Sequence, residues 1–86
     1  MPQSDYDKKT SGSLRANTAT AIDRYLTHLD GQLTTDLYAL VLAEVEPPLL
    51  EAVMEYNRNN QSKAAAMLGI NRATLRKKLK QYNLFY

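Results

Sequence analysis

Residues 68–71 read Leu-Gly-Ile-Asn, and this tetrapeptide constrains the fold more than any other stretch. Glycine takes a left-handed conformation without the penalty a Cβ imposes, so Gly69 fits the position just past the end of a helix. Asn71 is a good N-cap residue, so a second helix starts two residues after the first has stopped. The flanks agree. Ahead of the turn, residues 61–68 (QSKAAAML) offer Ala64, Ala65, Met67 and Leu68, with Ala65 as the small residue a close helix crossing needs. Behind it, Leu75, Leu79 and Tyr82 repeat at helical spacing along one face, and Ile70 is an apolar plug in the turn. The reading is a helix-turn-helix over residues 60–82, with Asn60 placed to cap its first helix.

Arg72, Arg76, Lys77, Lys78 and Lys80 are largely left for the other faces of the second helix. A basic run on a helix is usually no more than a solvated face, and a helix-turn-helix can serve packing alone. Here small residue, turn glycine, apolar plug, N-cap, apolar spacing and positive charge occur together and in order. That combination favours a helix presenting its amino-terminal end and basic face to the major groove and flanking phosphates.

The charge distribution supports the same reading. Residues 1–55 hold nine acidic and four basic side chains, a net −5; residues 56–86 hold seven basic and no acidic ones, a net +7. Such segregation is expected when one end alone meets a polyanion. There is no cysteine, which excludes disulfides, thiolate zinc sites and cysteine nucleophiles. Nor is there a metal set, a nucleophile with its base or a glycine-rich phosphate loop, so neither enzyme nor cofactor is expected. No apolar run approaches the roughly 18 residues of a membrane span. A soluble, cytoplasmic protein without membrane contact is the expectation.

The rest of the chain reads as a support for this unit. Residues 1–13 are polar and expected to be a flexible tail, with Lys8 and Lys9 offset by Asp5 and Asp7. Ser13 can cap a helix in which Ile22, Tyr25, Leu26 and Leu29 recur until Gly31. His28 is a lone histidine, expected on a surface or interface rather than on a metal. Thr34 or Thr35 is expected to cap a longer helix whose segment 37–43 (LYALVLA) is apolar nearly all round and cannot face water on one side. In a chain of 86 residues one amphipathic neighbour cannot cover it, so a second copy should. Leu26, Leu37, Leu40, Val41, Val45 and Leu49 are the expected dimer core. The rhythm continues past Pro47 and Pro48 through Val53 and Met54; a single helix, kinked at the prolines and running to about residue 57, is the preferred reading, and a loop between two helices is the alternative the sequence leaves open. Glu44, Glu46, Glu51 and Glu55 are expected to be solvated. Residues 57–60 (NRNN) are a polar turn.

The segments LYALVLAEVEPPLLEAVM and NQSKAAAMLGINRATLRKKLKQY closely resemble the Fis family, the bacterial factors for inversion stimulation and nucleoid-associated proteins. The GINRATLRKKLK run is specific to that family and to related carboxy-terminal domains of bacterial enhancer-binding activators, whose ATPase and receiver domains do not fit into this length. The resemblance spans residues 14–82 and implies an all-α fold of four helices. In it the first two helices (14–57) form an intertwined homodimer core and residues 60–82 the DNA-binding unit. It implies paired recognition helices closer than one DNA turn, hence bending and indirect readout of minor-groove width. It implies base-edge contacts from Asn71 and Arg72 and phosphate contacts from Asn60, Ser62, Thr74, Arg76, Lys77 and Lys78. Double-stranded DNA and a second copy of the chain are the expected partners, with RNA polymerase a further candidate. The family's β-hairpin arm, which touches a DNA invertase, has no counterpart expected in the thirteen residues before Leu14. A reading from another class is a helical dimerisation adaptor whose basic tail binds an acidic protein.

Overall fold

The computed structural model describes residues 12–31 and 35–84. Residues 1–11, 32–34, 85 and 86, and with them the readings of the tail, of Lys8 and Lys9 and of Thr34 as a cap, lie outside the described residues. The described residues are all-α: α1 (Leu14–Leu29), α2 (Leu37–Tyr56), α3 (Gln61–Leu68) and α4 (Arg72–Gln81). The chain divides into two compact units, Met1–Thr35 and Asp36–Tyr86.

The first unit is built on α1. Ser13 is extended, and its Oγ accepts from the Ala16 N–H at 3.1 Å, satisfying one of the amide groups a helix start leaves without partners. At the other end the left-handed turn begins one residue earlier than glycine alone suggests. Asp30 already has φ 47, and Gly31 follows at φ 81. No residue of α1 is buried.

In the second unit, α2 is one helix running through both Pro47 and Pro48. Each proline deprives a carbonyl one turn back of its donor. Those carbonyls belong to Ala43 and Glu44, both exposed, where solvent can replace the lost bonds. The helix starts later than the threonines predict: Asp36 occupies the N-cap position, and its side chain makes no capping bond. A carboxylate there still faces the positive end of the helix dipole. At the far end Asn57 caps α2, its Nδ2 donating to the Val53 carbonyl at 2.9 Å. Arg58 and Asn59 follow at φ 53 and φ 64, and the Asn59 N–H closes on the Met54 carbonyl at 2.8 Å.

Leu50, Val53 and Met54 from α2, Ala64 and Ala65 from α3, and Leu75 and Leu79 from α4 make the buried core. Leu68, Ile70, Tyr82 and Leu84 pack around it. Thus the second half of α2 belongs to the core of the helix-turn-helix. Ala64 and Ala65 are almost fully buried, which is what small residues at a close helix crossing achieve. The carboxy-terminal end turns back through Asn83 at φ 57, with the Leu84 N–H on the Leu79 carbonyl at 2.8 Å.

Between α3 and α4 the chain makes the turn the tetrapeptide requires. Gly69 has φ 78, its N–H and that of Ile70 both reach the Ala65 carbonyl, at 2.9 and 3.1 Å, and Ile70 tucks against the core. A Cβ at Gly69 would meet nothing within 4 Å, so replacement costs backbone strain and no clash. Gly69→Ala is therefore expected to destabilise the unit by about 1–2 kcal/mol, the penalty of a left-handed residue with a Cβ. Urea unfolding followed by helical circular dichroism measures it.

Candidate nucleic-acid interface

Two asparagines set the amino-terminal ends of the helices in this unit. Asn60 Oδ1 accepts from the Lys63 N–H at 3.0 Å and Asn71 Oδ1 from the Thr74 N–H at 2.8 Å. Both side chains are exposed. With each carbonyl oxygen committed to the cap, each side-chain amide is left to donate outward. Donors are what phosphate oxygens and the guanine N7 and O6 edge require. Capping and contact are thus compatible in one side chain.

Along α4 the sequence pattern turns into two faces. Leu75 and Leu79 are buried, whereas Arg72, Ala73, Arg76, Lys77 and Lys80 are exposed. Ala73, Arg76, Lys77 and Lys80 line a shallow open hollow at spacings of three and four residues, the repeat of one helix face. Lys80 was not among the residues the resemblance singles out; its place one turn beyond Arg76 and Lys77 is the signal that finds it. Thr74 is half-buried, and Ser62 is exposed in the first turn of α3.

Lys78 differs from its neighbours. It is half-buried, and its Nζ lies 3.0 Å from Oε2 of Glu46 on α2, donating a hydrogen bond within an ion pair. The other oxygen of the same carboxylate accepts from the Tyr82 hydroxyl at 2.5 Å. The expectation that Glu46 is solvated is thereby corrected: its side chain is 22% exposed and holds Lys78 of α4 and Tyr82 at the cap of that helix. Glu44, Glu51 and Glu55 are exposed.

This cluster has a signed pH dependence. The Tyr82 hydroxyl first, and the Lys78 ammonium second, hold the Glu46 carboxyl below the ordinary carboxylate range, against a smaller opposing effect of desolvation. The bond to Glu46 pushes the Tyr82 hydroxyl up in turn. The fold stabilises ionised Glu46, so that contribution is complete above the ordinary carboxylate pKa and is lost as pH falls through the lowered value. It also stabilises neutral Tyr82, so that contribution is complete below the ordinary tyrosine pKa of about 10 and is lost as pH rises through the raised one. Urea midpoints measured across pH should show a plateau between roughly pH 5 and 9. Glu46→Gln should flatten the acid limb and Tyr82→Phe the alkaline limb.

No helix among the described residues is long and apolar enough to cross a membrane, and no cluster of metal-ligating side chains occurs among them. His28 is exposed, with Nδ1 donating to the Arg24 carbonyl at 2.8 Å.

Residues 41–82, from the first third of α2 to the end of the helix-turn-helix, match the family described as bacterial regulatory protein, Fis family. The DNA-binding protein Fis of Vibrio cholerae serotype O1 is 54% identical over 78 residues, 91% of this chain and 80% of that protein. The chain belongs to the Fis family. It is 57% identical to the DNA-binding protein Fis of Histophilus somni over 75 residues, 87% of this chain and 76% of that protein. Fis of Vibrio campbellii is 54% identical over 78 residues. Membership of the Fis family makes the chain a regulatory protein rather than an enzyme, and it accords with the four helices and the carboxy-terminal helix-turn-helix.

Proposed function

We propose that this protein binds and bends double-stranded DNA as a homodimer and acts in the cytoplasm as a nucleoid-associated transcriptional regulator. The observation that carries the reading is α4: an exposed cationic face backed by a buried apolar one, started by an exposed asparagine cap whose oxygen is taken by the Thr74 N–H. That the relatives are named DNA-binding proteins supports it.

In this reading Asn71 and Arg72 reach base edges, and the guanidinium suits the paired acceptors of guanine. Asn60, Ser62, Thr74, Arg76 and Lys77 take phosphates, with Lys80 added from the geometry. Lys78, already held by Glu46, is the phosphate ligand the geometry supports least. Thr74 has its N–H engaged by Asn71 and retains its hydroxyl for a phosphate oxygen.

Dimerisation is supported by apolar surface that the single chain leaves uncovered. Leu26, Leu40, Val45 and Leu49 are 44%, 37%, 45% and 48% exposed, and Leu37 and Val41 are half-buried. Apolar side chains at that level along two helices are more than scattered surface residues and fit an interface. Two copies carry two recognition helices. Where these are set closer than one DNA turn, the duplex must bend, and its deformability between the half-sites becomes part of the specificity. RNA polymerase is a further partner consistent with a transcriptional role. In this account the tail, residues 1–13, is dispensable for binding and residues 14–57 carry the dimer contacts.

Light scattering and fluorescence anisotropy test the proposal together. A dimer that binds a labelled duplex, more weakly as salt rises, is the expected result. A dimer that ignores duplex DNA at low salt and binds acidic proteins instead favours the adaptor.

A further inference from the structure

We propose that Glu46 is a positioning residue for DNA recognition: by holding both Lys78 and Tyr82 it fixes the recognition helix on α2 and so sets how strongly the protein discriminates between DNA sequences it does not touch. The inference rests on the DNA-bending dimer proposed above.

The observations are geometric. Glu46 sits in the half of α2 that lies before the core residues Leu50, Val53 and Met54, next to the two prolines. Its partners are 32 and 36 residues away in sequence, on the last turns of α4 and at its cap. The buried contacts of α4 through Leu75 and Leu79 lie on a single stripe, about which a short helix can still rock. The bond from Tyr82, at the end of that stripe, and the ion pair from Lys78, at its edge, tie the carboxy-terminal part of α4 to α2 and use both oxygens of one carboxylate. Bidentate use of a charged acceptor adds directional restraint that apolar packing lacks. Charge that Lys78 spends on Glu46 is charge it does not bring to a phosphate, so the lysine belongs to the mount and not to the contact surface.

The consequence follows from where bending strain is stored. A rigid mount keeps the two recognition helices at one separation and forces the whole mismatch into the DNA, so sites whose central steps deform easily are favoured. A loosened mount lets α4 yield instead, and the preference declines.

The test compares affinities for two duplexes with identical half-sites, one with an A·T-rich and one with a G·C-rich centre, for the full chain and for Glu46→Gln, Lys78→Gln, Tyr82→Phe and the Glu46→Gln/Lys78→Gln double variant. The ratio of the two affinities is insensitive to the fraction of protein folded, which cancels. The expected result is a ratio lowered roughly fivefold in each single variant, and no further in the double, because the pair acts as a unit. The salt slope of Lys78→Gln should equal that of the unsubstituted protein. A ratio unchanged in Glu46→Gln and Tyr82→Phe overturns the inference. So does a salt slope for Lys78→Gln reduced by about 0.9 per protomer, which marks a lost phosphate contact. If the unsubstituted protein itself shows no preference between the two centres, indirect readout and this inference fall together; DNA binding that persists separates that result from failure of the proposed function as a whole.

Discussion

Leu75→Ala is expected to destabilise the Asp36–Tyr86 unit by about 2–5 kcal/mol, enough to leave much of it unfolded at 25 °C. Leu75 is fully buried, and it sits where all three helices of the unit meet. Its truncation removes the transfer free energy of three buried carbon atoms and leaves a cavity that two short helices and a glycine turn cannot collapse to fill. Met54→Ala, at the other fully buried large side chain, should behave alike. Met67 is the contrast. It is apolar and belongs to the same helix-turn-helix, but it is 57% exposed, and Met67→Ala should change stability by no more than about 0.5 kcal/mol. Urea unfolding of the three variants distinguishes burial from hydrophobicity as the cause.

The largest effects on binding are expected from Arg72 and Lys77, and they should differ in kind. Arg72 opens α4 beside the Asn71 cap, where helix ends meet base edges, so Arg72→Ala should cost about 1–3 kcal/mol at a preferred site and much less at unrelated DNA. Lys77 lines the basic hollow with Arg76 and Lys80, and in the proposed reading it takes a phosphate. Lys77→Ala should weaken all duplexes nearly equally and reduce the salt slope by about 1 for each protomer. Titration of both variants against a specific and a random duplex at several salt concentrations checks the pair. Equal losses on both duplexes for Arg72→Ala would remove it from the base-reading role.

What was legible in the chain beforehand divides along a physical line. Signals that act within four or five residues were readable: the Ser13, Asn60 and Asn71 caps each accept the amide three residues on, and Gly69 turns left-handed where the tetrapeptide requires it. The stripe of Leu75 and Leu79 could be read for the same reason, since one helical repeat decides which side chains share a face. The start of α2 was misplaced because Thr34, Thr35 and Asp36 are all capping residues, and the choice among them is made by packing after the first turn. The prolines lie inside α2, where the two hydrogen bonds they remove fall at exposed carbonyls and the helix goes on to bury Leu50, Val53 and Met54.

The role of Glu46 was not legible. Four glutamates occur at residues 44–55, and one of them is singled out only by partners 32 and 36 residues away. No periodicity encodes a pairing across three helices. The same applies to Lys78, which by spacing looks like Lys77 but by position is turned toward α2. Of the candidate interface, then, the caps and the outward cations followed from local pattern, whereas the division between cations that face outward and the one that is held inward required the fold.

The central claim is that a dimer of this chain bends duplex DNA, and a gel-shift with one preferred site permuted along a fragment of fixed length tests it most directly. The account predicts that the complex of a protein of verified dimeric mass migrates most slowly when the site lies at the centre, with the shift weakening as salt is raised. A folded dimer that gives no shift at low salt, or one whose mobility is independent of site position, would contradict it.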